Sequence, residues 1–320
     1  MKKQSNKNKH NVSISSPARL HLGFYGLNNK YGYSFGSMGL AINSYKTKIH
    51  ICPSSSFKSN LPNKYILGVK KILNKFNLKS NFNISLIDQP SNHIGLGSGT
   101  QLALSTGALL SEYFQLSLST KEIVKIFRRG ERSGTGIGVF DKGGFILDSC
   151  KKNNKIPEIL VRAKFPSNWK IIIINDSQLK GVSGNKESSF FTNNKSSETY
   201  ADKLTHLLLR GILPAITYKD FKNFAANLTE FQRTTSFFYK NSQKSMFLSP
   251  EISKIMKYLK NSSHLGLGQS SWGPVSYIFT ESIITAKETI NVIENKFNVY
   301  NNLTYKIVSP RNSGHKIKYN

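Results

Sequence analysis

Apolar and polar residues alternate around Val12 and Ile14 and again at Leu20, Leu22 and Phe24. A period of two is what a strand with one buried face requires, so these residues predict strand structure running into a turn-rich stretch near residues 28–39. A strand pair is expected next, over residues 40–45 and 48–52. Tyr65, Val69, Ile72, Leu73 and Phe76 then fall on one face of a helix, and Phe82, Ile84 and Leu86 on one face of a short strand. After a glycine-rich loop, Leu102, Ala103, Leu109, Leu110, Tyr113 and Phe114 form an apolar helical pattern with no internal proline. Ser119 and Glu122 have the spacing of a capping box, and the helix they open ends in a basic turn over residues 128–138 before a strand at residues 143–147.

A polar stretch at residues 151–155 and Pro166 mark a domain boundary ahead of a buried strand at residues 169–175. Beyond it, helices are expected near residues 198–213, 220–231, 250–259 and 284–297, the third opened by Ser249 as cap and Pro250 in its first position. Strands near residues 275–279 and 306–308 complete an α+β pattern without internal repeats. The division predicted is a basic, disordered tail at residues 1–11, a first domain at 12–165 and a second at 166–320.

A chain of 320 residues with 38% hydrophobic content can bury two cores. Cys52 and Cys150 lie far apart without metal-ligand spacing, which argues against a disulfide scaffold or a zinc module and fits a reducing, cytoplasmic setting. The tail lacks the apolar stretch of a secretory signal, and no run approaches a membrane span. A net charge of +28 invites a nucleic-acid reading, yet the cations are mostly lysines scattered among asparagine and serine. Only Arg128, Arg129 and Arg132 cluster. No nucleic-acid or membrane partner is therefore expected, although the overall field favours anionic substrates.

The candidate chemistry lies in three glycine turns. Gly95, Gly97 and Gly99 let successive amides converge on a phosphate, and the helix that follows adds its positive end. Leu96 completes that loop, and Ser98 and Thr100 add hydroxyl donors. The plain alternative is a turn that only starts a helix. The second turn, Gly268-Gln269-Ser270-Ser271-Trp272-Gly273-Pro274, offers donors from Gln269, Ser270 and Ser271 and a flat face from Trp272; its plain alternative is a structural connection around a core tryptophan. The third, Arg132-Ser133-Gly134-Thr135-Gly136-Ile137-Gly138, is flanked by Arg128, Arg129, Asp141 and Lys142 and reads as a polyphosphate pocket or as a solvated basic turn.

In this order the turns resemble the GHMP kinase superfamily, whose P-x-x-x-G-L-G-S-S pattern is approximated by Pro90-Ser91-Asn92-His93-Ile94-Gly95-Leu96-Gly97-Ser98-Gly99. Together with Ser16-Pro17-Ala18-Arg19-Leu20-His21-Leu22-Gly23, Gly36-Ser37-Met38-Gly39-Leu40-Ala41-Ile42 and Gly143-Gly144-Phe145-Ile146, the blocks are similar to the beta-ribofuranosylaminobenzene 5'-phosphate synthase family. The resemblance covers residues 12–315. It implies the α+β GHMP kinase fold, with an N-terminal domain like domain 2 of ribosomal protein S5 and a ferredoxin-like C-terminal domain.

Many GHMP kinases carry S-G-x-D, and the aspartate's slot here is Gly136; the Gly-Glu-His run usual in their first block is replaced by Leu22-Gly23-Phe24-Tyr25. Losing that carboxylate disfavours phosphoryl transfer. The resemblance instead implies condensation of phosphoribosyl diphosphate with 4-aminobenzoate or 4-hydroxybenzoate, with release of CO2 and diphosphate. The rivals are an ATP-dependent kinase and a non-catalytic nucleic-acid-binding protein.

On this reading the loop from Gly95 to Thr100, with Arg132 and Lys142, holds the leaving diphosphate. Arg19 and His21 grip the benzoate carboxylate or the 5-phosphate, and Trp272 walls an aromatic slot. Mg2+ is expected with the diphosphate, with Asp141, Asp148, Glu131 and Glu187 as carboxylates to test and Asp141 and Asp148 foremost. No organic cofactor is expected. Partners reduce to the two small molecules and at most a second copy in a homodimer.

Overall fold

The computed structural model describes residues 11–26, 31–153, 155–181, 198–238, 245–260, 264–271 and 273–319. The alternation at the start produces one strand, β1 (Val12–Phe24), paired antiparallel with β2 (Ser37–Pro53). The expected hairpin between residues 40–45 and 48–52 is instead this single β2. The register shifts between Ser16/Ala18, so that Ser16 faces Thr47 while Ala18 faces Ile42, and Tyr45 takes φ 57° within the bulge. A bulge mimics a turn in sequence because both interrupt the alternation with polar residues.

β3 (Lys58–Ser59), β4 (Phe82–Asp88), β5 (Phe145–Asp148) and β6 (Ile159–Ala163) extend the sheet, and β11 (Lys316–Tyr319) closes its edge against β1. Thus the last strand of the stretch assigned to the second domain belongs to the first domain's sheet. One face of this seven-stranded sheet is covered by α1 (Asn63–Lys75), α2 (Ser98–Tyr113), α3 (Thr120–Ile126) and α4 (Thr135–Asp141). Ile14, Ile49, Phe82, Ile84, Val69, Leu102 and Leu109 are the centre of that core. The capping box at Ser119 and Glu122 has both of its hydrogen bonds. The third glycine turn is only partly a turn, since its second half forms α4.

The second sheet runs β10 (Leu303–Val308), β7 (Lys170–Asp176), β9 (Ser276–Thr280), β8 (Gly266–Gln269), all antiparallel. Chain-order positions four, one, three and two are the ferredoxin-like arrangement. Helices α5 (Glu198–Leu207), α6 (Leu213–Tyr218), α7 (Phe221–Phe238), α8 (Pro250–Leu259) and α9 (Ile283–Phe297) accompany it, α5 running into α6 through a π-helical turn at Leu208–Ile212. Four consecutive isoleucines explain why both faces of β7 are buried. Ile171 and Ile173 enter a core shared with Leu20, Leu22, Phe24 and Leu40 of the first domain, while Ile172 and Ile174 pack against Ile252, Ile255 and Ile293. The shared core holds the two sheets against each other, and β1 runs along the seam.

Both cysteines are free, and no described helix is long and apolar enough to cross a membrane. Residues 1–10 of the expected tail, Glu187 and Trp272 lie outside the described residues.

Candidate active site

The loop before α2 has Gly95 at φ 97° and Gly97 at φ 72°, backbone conformations that glycine reaches at least cost. Gly97 is the N-cap of α2 and supplies no side-chain cap, so the Ser98 and Gly99 amides at the helix start depend on an outside acceptor. The carbonyl of Gly97 receives the amides of Thr100 and Gln101, which fixes the turn, and Tyr65 donates to the Gly99 carbonyl at 3.3 Å.

The serine turn is wrapped onto this loop. Ser270 Oγ donates to the Gly95 carbonyl at 2.7 Å and accepts the His21 amide at 3.0 Å, tying β1, the glycine loop and the serine turn through one hydroxyl. The packing is too close for side chains: a Cβ on Gly95 would stand 2.2 Å from the Ser270 carbonyl oxygen, and one on Gly273 2.1 Å from that of Ile94. Gln269 is turned inward, accepting the Leu248 amide at 2.6 Å and donating to the Ser271 carbonyl at 3.1 Å. Two turns separated by more than 150 residues therefore form one wall, as the sequence reading required.

Arginines stand around that wall. A Cβ on Gly97 would lie 3.1 Å from Arg19 Nε, and one on Gly99 3.4 Å from Arg129 Nη2. Arg129 is held by Tyr65, to whose hydroxyl it donates at 3.3 Å and over whose ring its guanidinium sits at 5.8 Å. With Arg128, Arg132, Thr100 and Gly136 they line a cleft of about 290 Å³. Four guanidiniums beside a helix start without a side-chain cap make this cleft a candidate anion site. Gly136, where the kinases carry aspartate, is part of the lining, and a Cβ there would meet Thr100 Cγ2 at 3.0 Å.

Asp148 has a different place from the one expected of a metal ligand. It is completely buried and accepts from the amides of Ser37 (2.6 Å), Gly134 (2.5 Å) and Thr135 (3.2 Å) and from the hydroxyls of Ser37 (2.7 Å) and Ser133 (3.3 Å). Burial pushes its carboxyl up to about 7, against the pull of these hydrogen bonds. The hydroxyls continue to Thr135, which bonds Ser133 at 2.7 Å and accepts from Arg19 Nη1 at 3.4 Å. Asp148 thus organises the start of α4 and, through it, Arg19. With its oxygens so engaged, it does not fit a cation site.

Asp141 and Lys142 are exposed at the far end of α4, where Asp141 accepts from Thr120 at 2.9 Å; neither lines the cleft. His21 does line it, but burial, followed by the charge of Arg19, holds its imidazole well below the usual histidine range. A neutral ring adds no positive charge, so of the pair expected to grip an anion Arg19 is the one that brings charge to the cleft. Tyr65, read from sequence only as part of an apolar helix face, and Arg129, read only as a flank of the third turn, both matter through contact with the first loop. Among the described residues no three of His, Cys, Asp or Glu cluster to hold a metal, and Glu131 is the carboxylate at the cleft's edge.

Comparison with known proteins defines the class first: residues 63–147 match the family model described as GHMP kinases N terminal domain, and the architecture is the GHMP kinase fold. Mevalonate diphosphate decarboxylase from Staphylococcus aureus shares it with a TM-score of 0.70 at 15% identity, over 97% of this chain and 98% of that one. The particular resemblance follows from sequence. The chain is similar to the beta-ribofuranosylphenol 5'-phosphate synthases of Methanothermobacter thermautotrophicus (28% identity, covering 84% of this chain and 88% of that protein) and Methanocaldococcus jannaschii (29%, covering 95% and 99%). The family resemblance read from the motif blocks is borne out.

Proposed function

We propose that the chain is an enzyme with beta-ribofuranosylphenol 5'-phosphate synthase activity, condensing phosphoribosyl diphosphate with a para-substituted benzoate. The observation that carries the reading is the joined wall of two glycine turns facing four arginines, with glycine rather than aspartate at position 136. The relatives' name, which specifies a ribofuranosylphenol, favours 4-hydroxybenzoate as acceptor over 4-aminobenzoate.

The chemistry asks for stabilised negative charge. As the bond from ribose C1 to the diphosphate oxygen breaks, charge grows on the leaving group and C1 becomes electron-poor. The open amides of α2 and the guanidiniums of Arg19, Arg129 and Arg132 meet that charge with donors already in position. The ring carbon bearing the carboxylate attacks C1, and loss of CO2 restores aromaticity. A kinase would need a group to orient an acceptor hydroxyl, which Gly136 does not supply. A Mg2+ ion travelling with the diphosphate would meet Glu131 and would offset phosphate charge.

The test is direct: purified protein, Mg2+ and phosphoribosyl diphosphate are mixed with carboxyl-labelled 4-hydroxybenzoate or 4-aminobenzoate. Labelled CO2 released in step with diphosphate is expected; phosphorylation of an alcohol by ATP without CO2 release would replace this reading with the kinase one.

A further inference from the structure

His21 stands between two spaces of opposite character. On one side is the arginine cleft. On the other is a recess of about 20 Å³ lined by His21, Gln232, Thr235, Met246, Gln269 and Ser271, none of them charged at neutral pH once the histidine is neutral. His21 and Ser271 belong to both. A space of that size admits one water-sized group, and a ring or a carboxylate is too large for it.

The polar atoms around the recess are mostly engaged. Gln232 donates to the Leu22 carbonyl at 2.7 Å and accepts the Gln269 amide at 3.1 Å; Gln269 Oε1 accepts the Leu248 amide; Thr235 donates to the Phe231 carbonyl at 2.8 Å. His21 differs. Its ring is tilted 56° against Phe24 at 4.5 Å between centroids, and its Nε2 is buried without a hydrogen-bond partner among the described residues. An orphaned buried nitrogen destabilises the fold unless a ligand answers it.

Resting on the reaction proposed above, we infer that His21 Nε2 receives the para hydroxyl of the aromatic acceptor and is the residue that selects a phenol over an aniline. The acceptor's carboxylate end then lies toward the arginines, next to the ribose carbon it must meet, and its other end reaches the recess. One acceptor nitrogen matches one O–H donor. An amino group brings two donors and leaves one unanswered.

The same contact holds a proton through the reaction. When the ring carbon bonds to ribose C1 and the diphosphate leaves with the electron pair of the broken C–O bond, the phenolic proton passes to Nε2 and the ring becomes a neutral dienone. Breaking the bond to CO2 returns two electrons to the ring. The phenol oxygen then recovers its proton from Nε2, with no net proton change on the enzyme.

The full-length protein and its His21→Asn and His21→Gln variants are assayed for CO2 release from both acids. With the hydroxy acid, kcat/KM is expected to fall roughly 100-fold in each variant. With the amino acid the loss should be about 10-fold smaller than with the hydroxy acid, and KM for phosphoribosyl diphosphate should not move. Equal losses on both acids, or none, would overturn the assignment to His21 while leaving the reaction standing. A wild-type protein that releases CO2 from neither acid overturns the reaction and the inference with it. Should the variants not fold, the wild-type protein still decides. 4-Methoxybenzoate, which lacks the proton, should compete about 10-fold more weakly than 4-hydroxybenzoate, and equal competition overturns the assignment.

Discussion

The helices α2 and α4 both begin in glycine-rich, hydroxyl-rich sequence, yet their first turns have opposite fates. At α2 the cap is Gly97 and no side chain closes the helix start, whereas at α4 the Gly134 and Thr135 amides are taken by Asp148 of the neighbouring strand. A helix start is an anion site only when the protein does not bring its own anion. The internal carboxylate at α4 has a further use, because its hydroxyl partners hold Thr135 against Arg19 and so aim a cation at the open turn.

This contrast can be broken from either side. The largest effect is expected from Asp148→Ala, which leaves several buried donors unanswered; a loss of about 3 kcal/mol or more in urea unfolding is predicted, together with weaker phosphoribosyl diphosphate binding. Gly95→Ala should come next. Its Cβ would strike the Ser270 carbonyl and part the two turns, so CO2 release should drop by about 100-fold or more while circular dichroism stays near native.

Arg19→Ala and Arg129→Ala should raise KM for phosphoribosyl diphosphate by about 10-fold or more, whereas Lys142→Ala, at the exposed end of α4, should leave it unchanged. A rise with Lys142→Ala equal to that with the arginines would show that the cleft has been drawn in the wrong place.

The smallest effect is on pH-dependent stability. His21 has a lowered folded pKa, so its contribution is present above the unfolded value of 6.5 and is lost as pH falls below it. Asp148 acts in the other direction: with a folded value near 7 against 3.8 unfolded, its contribution favours folding in acid and fades as pH rises through 7. His21→Gln should therefore lose less thermal stability than wild type between about pH 7 and pH 5, as followed by the unfolding midpoint.

Much of this was legible in the sequence. β4 and α8 fell at the residues expected, the former because its alternation is uninterrupted and the latter because Ser249 and Pro250 announce it. The glycine loop and the arginines were found through residue types that have few other uses together. What stayed hidden depends on distant pairing. Nothing near Gly134 reveals that Asp148 will fill its helix start, nothing near His21 reveals Gln232, and the polar bulge within β2 has the local appearance of a turn.

The return of β11 to the first sheet has a consequence of its own. Val12 and Tyr319 are paired across adjacent strands, so the two lobes cannot be cut apart at a single linker without stripping β1 of a neighbour. A fragment ending near residue 165 would present the bare backbone of Val12, Ser13, Ile14 and Ser15 as a sticky rim, inviting strand exchange between molecules.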